Sequence, residues 1–206
     1  MRQRSVTPEQ EAEFFAGVHA SDEFFMGKAG VQRAIEKLAQ LLDETDIPYA
    51  VIGAMALNEY GYQRATVDVD VLLTPEGLER FKARWLGRGY VEYVAGGKSL
   101  RDTENNVRID VILAGEYPGD GKPKSVRFPD PSQAGRGEHI RFVPIETLIE
   151  LKLASGMSAP HRLKDLADVL ELIRICKLQP DFGDQLDESV RSKFHELWTA
   201  AQSSDQ

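Results

Sequence analysis

The sequence predicts an α/β (α+β) protein, in which a small mixed sheet is flanked by helices and followed by a C-terminal helical region. Three observations carry this. Short apolar runs of strand length occur at Tyr49–Ile52, Val67–Leu73 and Val107–Leu113. Before and between them, apolar residues recur at helical spacing, as in Val31, Ile35, Leu38 and Leu42. From Ile145 onward only the helical pattern remains. The chain therefore divides into an N-terminal helical segment (1–46), an α/β core (47–143) and a C-terminal helical region (144–206).

Each element has its own local reason. Pro8, at the head of Pro8-Glu9-Gln10-Glu11-Ala12-Glu13, suits a first helical turn, and a loose connector with the paired aromatics Phe14-Phe15 and Phe24-Phe25 follows it. The helix over Val31–Leu42 stops at Asp46-Ile47-Pro48, because a residue before proline avoids the helical region. Tyr49–Ile52 is a buried strand, and Gly53–Tyr60 is a helix stopped by Gly61. In the strand Val67–Leu73, alternation sends Val67, Val69 and Val71 to the core. Pro75–Leu86 is a helix with Leu78, Phe81 and Trp85 on one face. Gly89–Val94 and Val107–Leu113 are further strands, and Ile140–Val143 is a last short one. Residues 115–137, rich in glycine and proline, form a long loop of the kind that usually carries function. Helices over Ile145–Ser155, Arg162–Cys176 and Asp187–Ala200 complete the chain, which has no internal repeat.

Composition narrows the function. The chain has 206 residues, enough for a core without staples. The longest apolar stretch, Ala50–Leu57, is far short of the roughly 20 residues a membrane span needs. The first residues lack the apolar core of a secretory signal. Twenty-five Lys and Arg against 33 Asp and Glu give a net charge of −8, which excludes a general DNA-coating protein. A nucleic-acid substrate would have to be held locally. One cysteine, Cys176, excludes a disulfide framework and a cysteine-based zinc site, and the expected compartment is the cytoplasm. Cys176 sits on an apolar helix and reads as core; His19 and His161 lack metal-ligand spacing.

The candidate chemistry begins at Asp68 and Asp70. Alternation puts both on one face of a strand, about 7 Å apart at their roots. Like charges so placed repel unless something positive lies between them. Either the face is simply solvated, or a divalent cation is bound, and oxygen-only ligands favour Mg²⁺ or Mn²⁺. Asp110 interrupts the apolar run Ile109-Asp110-Val111-Ile112-Leu113, where aspartate is a poor strand former. It sits either at a strand edge or beside the first two acids, and three converging carboxylates hold metals for an in-line displacement at phosphorus. Upstream, Ile52-Gly53-Ala54 ends a strand and opens a helix, and such a turn lets backbone N–H groups meet a phosphate.

This constellation resembles the nucleotidyltransferase superfamily built on the polymerase-β-like palm. The motif runs from Val51-Ile52-Gly53-Ala54 to Val67-Asp68-Val69-Asp70, with Asp110 as the later acid. The Arg64-x-Thr66-x-Asp68-x-Asp70 version is similar to the AbiEii-toxin-like subgroup, which includes toxins of toxin–antitoxin systems. Leu148–Ser155 resembles the helix bearing that subgroup's active-site lysine, here Lys152, and Arg162–Val169 resembles its Lys-Asp-x-x-Asp helix. Ala54 departs from the usual Ser or second Gly and removes a hydroxyl contact.

Helical geometry supports Lys152 independently. At 100° per residue it falls about 20° from Ile145, inside the apolar stripe. It either snorkels out or pairs with an anion. Asp165 and Asp168 share one side of their helix. The resemblance draws Asp165 towards the site, whereas Asp168 reads as solvated, with Lys164 as partner, beside a core stripe of Leu163, Leu166, Ala167, Leu170 and Ile173. Arg64 either clamps a triphosphate or pairs with an acid.

The resemblance implies a metal-dependent transfer of a nucleoside monophosphate from an NTP to an acceptor hydroxyl on an RNA end, a protein or a small molecule. Asp68, Asp70 and Asp110 would hold Mg²⁺ or Mn²⁺. Gly53, Ala54, Arg64, Lys152 and Asp165 would bind the nucleotide, with Lys152 also acting in catalysis. A toxin of this type implies a cognate antitoxin partner. Two other readings stay open: a catalytically degenerate binding or antitoxin-like protein, and a metal-dependent phosphohydrolase.

Overall fold

The computed structural model describes residues 29–134, 137 and 139–203. The helix expected after Pro8, the two phenylalanine pairs and His19 lie outside the described residues. Helix α1 covers 29–44. Then follow β1 (Ala50–Val51), α2 (Gly53–Glu59), β2 (Asp68–Leu73), α3 (Pro75–Trp85), β3 (Tyr90–Glu92), β4 (Ser99–Asp102), β5 (Val107–Leu113) and the short α4 (Pro131–Ala134). The last part is helical: α5 (Ile145–Ser158), α6 (Leu163–Ile175) and α7 (Glu188–Ser203), with 3₁₀ turns at Pro160–Arg162 and Pro180–Gln185.

The five strands form one mixed sheet in the order β1-β2-β5-β4-β3. Only the central pair β2·β5 is parallel, with Asp68 opposite Arg108 and Asp70 opposite Asp110. The other three pairs are antiparallel. Residues 141–143 add to β1 through a single bridge at Phe142, so the strand expected over Ile140–Val143 shrinks to one contact.

Alternation along β2 and β5 sorts side chains between two cores. Val69, Val71, Ile109 and Val111 point to one face, against Val31, Ile35, Leu38 and Leu42 of α1 and Leu78 and Phe81 of α3. Leu72 and Ile112 point to the other face, where α5, α6 and α7 pack around Leu148, Ile149, Leu172 and Phe194. α1 is also tied to the sheet by Lys37, whose Nζ lies 2.7 Å from the fully buried carboxylate of Asp102 on β4. Burying that acid without a partner would be costly, and Asn105 donates to its other oxygen.

Two expectations about apolar burial fail. Val67 precedes β2 rather than beginning it, and stands 77% exposed beside the cavity described below. Leu163 opens α6 and is 66% exposed, while the buried face of that helix is Asp168, Val169, Leu172 and Ile173. The core stripe is rotated from the expected one because α6 packs against α5 and α7 through that side.

Candidate functional site

The second face of the sheet changes character along β2. Near the end of the strand it is apolar, with Leu72 beside Ile112, and α5 covers it. Near the start it is polar, with Asp70 beside Asp110 and Asp68 beside Arg108. Here a cavity of about 560 Å³ opens between β2, the start of α2, α5 and α6. Asp68, Asp70, Gly53, Ala54 and Arg64 line one side; Lys152, Ser155, Arg162, Lys164 and Asp165 line the other. Ile112, Phe128, Leu148 and Leu151 supply an apolar wall. Gly119, from the long loop, packs against α5 so closely that a Cβ there would meet Ser158 Oγ at 2.0 Å.

Gly53 is required where it stands. Its φ is +65°, and a Cβ would lie 1.9 Å from Asp70 Oδ2, so the carboxylate rests directly on the backbone of the strand-to-helix turn. α2 starts there without any side-chain cap.

The acids differ in how they are satisfied. Asp68 Oδ1 accepts from Thr66 Oγ1 at 2.6 Å. Asp110 Oδ1 accepts from Ser99 Oγ at 2.6 Å and from Arg108 Nε at 2.8 Å. The carboxylate of Asp70 accepts no side-chain or backbone hydrogen bond among the described residues. Burial pushes its pKa up to about 6, the charges of Asp68 and Asp110 push the same way, and Lys152 and Arg108 offset only part of this.

Lys152 is buried and belongs to a charge network across the cavity. Its Nζ lies 2.6 Å from Asp168 Oδ2 and 3.2 Å from Asp165 Oδ1. Ser155 Oγ donates to the other oxygen of Asp165 at 2.7 Å. Arg64 also donates to Asp168 Oδ2. Asp168 is only 2% exposed, which corrects its expected solvated position. It is the shared acceptor of the two cations, and on α6 it shares the buried face with Val169, Leu172 and Ile173. Lys152 pairs with anions rather than snorkelling out. Arg64 pairs with an acid while also lining the cavity. Cys176 is half-buried, and its thiol is held up in pKa by that burial.

A hard divalent cation fits Asp68 and Asp70. The donors are all oxygen, both residues line the cavity, and Asp70 carries charge that no hydrogen bond relieves. The expected three-acid arrangement is a different matter. Asp110 shares a face with the other two, but it does not line the cavity and is held by Arg108 and Ser99. Among the described residues, no three His, Cys, Asp or Glu side chains are grouped to hold a metal ion. Ser99 and Arg108 were not among the residues expected at the site, and Thr66 and Ser155 entered only as members of its motifs, with no role of their own. Ser99 becomes visible only once β4 is paired with β5, which sets it opposite Asp110.

No protein-family model matches the chain. No curated protein matches it either. Among solved structures it is similar to ANT(2'')-Ia in complex with adenylyl-2''-tobramycin, at 15% identity and a TM-score of 0.47, covering 87% of this chain and 99% of that one. It is similar to the solution structure of the antibiotic-resistance factor ANT(2'')-Ia, at 14% identity and a TM-score of 0.46, covering 86% of this chain and 94% of that one. It is also similar to an antigenic nucleotidyltransferase-like protein from Paracoccidioides brasiliensis, at 17% identity and a TM-score of 0.46, covering 70% of this chain and 76% of that one. Among the described residues, no helix is long and apolar enough to cross a membrane.

Proposed function

We propose that the protein is a metal-dependent nucleotidyltransferase of the AbiEii-like type, moving a nucleoside monophosphate from an NTP to an acceptor hydroxyl and releasing pyrophosphate. The observation that carries this reading is the register of the central parallel pair. It sets Asp70 beside Asp110 and Asp68 two residues away on the same face, in the strand that follows the strand–Gly53–helix unit, with Lys152 across the same cavity.

In this reading Asp68 and Asp70 hold Mg²⁺ or Mn²⁺, which when bound supplies positive charge to the reacting phosphates. The chain's own groups do the rest. The backbone at Gly53 and Ala54 holds phosphate oxygens at the uncapped start of α2. Lys152 and Arg64 add positive charge, and Asp165 and Asp168 keep those two cations in place. Asp110 takes the proton of the acceptor hydroxyl. The apolar wall at Phe128, Leu148 and Leu151 excludes water on one side. Most of the acceleration then comes from positioning and charge neutralisation.

Incubating the protein with α-³²P-labelled NTPs, Mg²⁺ and cell extract tests the reading. The expected result is a labelled acceptor and free pyrophosphate, lost in Asp68→Asn. Free phosphate without a labelled acceptor would instead indicate hydrolysis, and no turnover with intact NTP binding would indicate a degenerate binding protein. Ala54 and the engagement of Asp110 by Arg108 favour that last alternative. A role as a toxin with a cognate antitoxin is part of the proposal, tested by toxicity on expression in a bacterial host.

A further inference from the structure

Three groups in the β-sheet stand one strand apart in two rows. Arg101, Arg108 and Asp68 form one row, and Ser99, Asp110 and Asp70 form the other. All six side chains share the face that bears the cavity. In the second row, two carboxylates are neighbours, at a root separation of about 5 Å. Like charges side by side are destabilising, so one of them needs a counter-charge. The chain supplies one. Arg108 reaches along its own strand to Asp110 Oδ1, and Ser99 donates to the same oxygen from the next strand. The guanidinium is braced on its other side by the ring of Tyr93, 4.9 Å away. Among the described residues, Asp70 is left as the acid of this row without a hydrogen-bond partner.

From this geometry we infer that Arg108 is a positioning residue that acts through Asp110: it occupies the third carboxylate in the free protein, so that the site takes one divalent cation, on Asp68 and Asp70, and not two. This rests on the metal reading of the site proposed above. A guanidinium and a divalent cation compete for the same carboxylate oxygen. While Arg108 and Ser99 hold it, Asp110 is outside the cation's ligand set, and it does not line the cavity. Arg108 is half exposed, at 45%, and has room to move away. Asp110 is therefore released for its part in the reaction only when Arg108 lets go.

Mn²⁺ titration of the metal-free protein, followed by electron paramagnetic resonance and calorimetry, tests this without reference to activity. The wild type is expected to bind one ion, and Asp70→Asn to bind none. Arg108→Met keeps the packing stem and frees Asp110, and is expected to bind a second ion or to hold the first at least tenfold more tightly. Arg108→Lys, which keeps a cation near Asp110, should restore wild-type behaviour. The double variant Arg108→Met/Asp110→Asn removes the pair without changing net charge and should match the wild type within about threefold. Melting temperatures of all five proteins identify any variant that fails to fold; if Arg108→Met is one, Arg108→Gln, which also removes the charge and frees Asp110, takes its place with the same expected result. Two ions on the wild type, an unchanged Arg108→Met, or loss of the ion in the folded double variant would each overturn the role of Arg108. A wild type that binds no Mn²⁺ would overturn the metal site itself, and this inference with it.

Discussion

Asp70 offers a test that separates function from stability. Replace it with asparagine, which keeps the shape and removes the charge. The carboxylate rests on Gly53 and accepts no hydrogen bond among the described residues, so the amide forfeits none. What the substitution relieves is the cost of a buried charge beside two like charges. A native pKa of about 6, against 3.8 for the free side chain, spans about 2 units, and at about 1.4 kcal/mol per unit that is up to about 3 kcal/mol. The sign follows from linkage. A carboxyl whose pKa is raised on folding binds its proton more readily in the native state. Its contribution to stability is fully present below pH 4 and is lost as pH rises through 6. In EDTA at pH 8, Asp70→Asn should therefore melt above the wild type, by about 6–12 °C for a chain of this size. At pH 4.5 about a third of the gap should remain, and it should close below pH 4. Added Mg²⁺ should raise the wild type and leave the variant unchanged. A variant that melts below the wild type at pH 8 in EDTA would show instead that the charge of Asp70 is already balanced within the protein.

Other outcomes follow from the same structure. Lys152→Met should cost about 3–5 kcal/mol in urea unfolding, since it strips one of two cations from the buried Asp168. Native-like stability there would show that Arg64 alone suffices. Gly53→Ala must push the Asp70 carboxylate aside and adopt a left-handed backbone, so it should cost about 1–2 kcal/mol and weaken Mn²⁺ binding at least tenfold by calorimetry. Unchanged Mn²⁺ affinity would take Asp70 out of the cation site. Tyr90→Phe should stabilise the protein by about 1 kcal/mol in the same urea assay, because its buried hydroxyl has no hydrogen-bond partner among the described residues. A loss of stability would reveal a partner for that hydroxyl.

The sequence made the outer frame legible because long periodic segments carry their own signal. The helix containing Val31–Leu42, the strand Val107–Leu113 and the three C-terminal helices all form close to their expected limits. β4 was not legible. Ser99-Leu100-Arg101-Asp102 has one apolar residue, and its inward side is completed by an aspartate made tolerable by a distant lysine together with Asn105 and the Glu104 N–H. Without β4 nothing indicated that Ser99 would face Asp110. Asp68, Asp70 and Lys152 stood out because a charge within an apolar pattern is anomalous. Asp168 did not, because its helix has enough leucines to suggest a different stripe. Its burial depends on Lys152 and Arg64, which come from other parts of the chain. Arg108 was hidden for a simpler reason: an exposed arginine two residues before an aspartate on one strand looks like an ordinary solvated pair.

The central parallel pair also bears on how the protein assembles. Asp70 and Asp110 stand forty positions apart in the chain, with α3 and the β3–β4 hairpin between their strands. β3, β4 and β5 are antiparallel neighbours in sequence and can associate early, whereas β2 must close a long loop to reach β5, which is entropically costly and slow. Ser99, Arg108 and Asp110 all belong to the early part. Asp110 thus meets its arginine before Asp70 arrives, and the incoming strand docks beside a neutral pair rather than a bare negative charge. The same contact that keeps Asp110 occupied in the finished protein removes an electrostatic obstacle from the last and least local step of building the sheet.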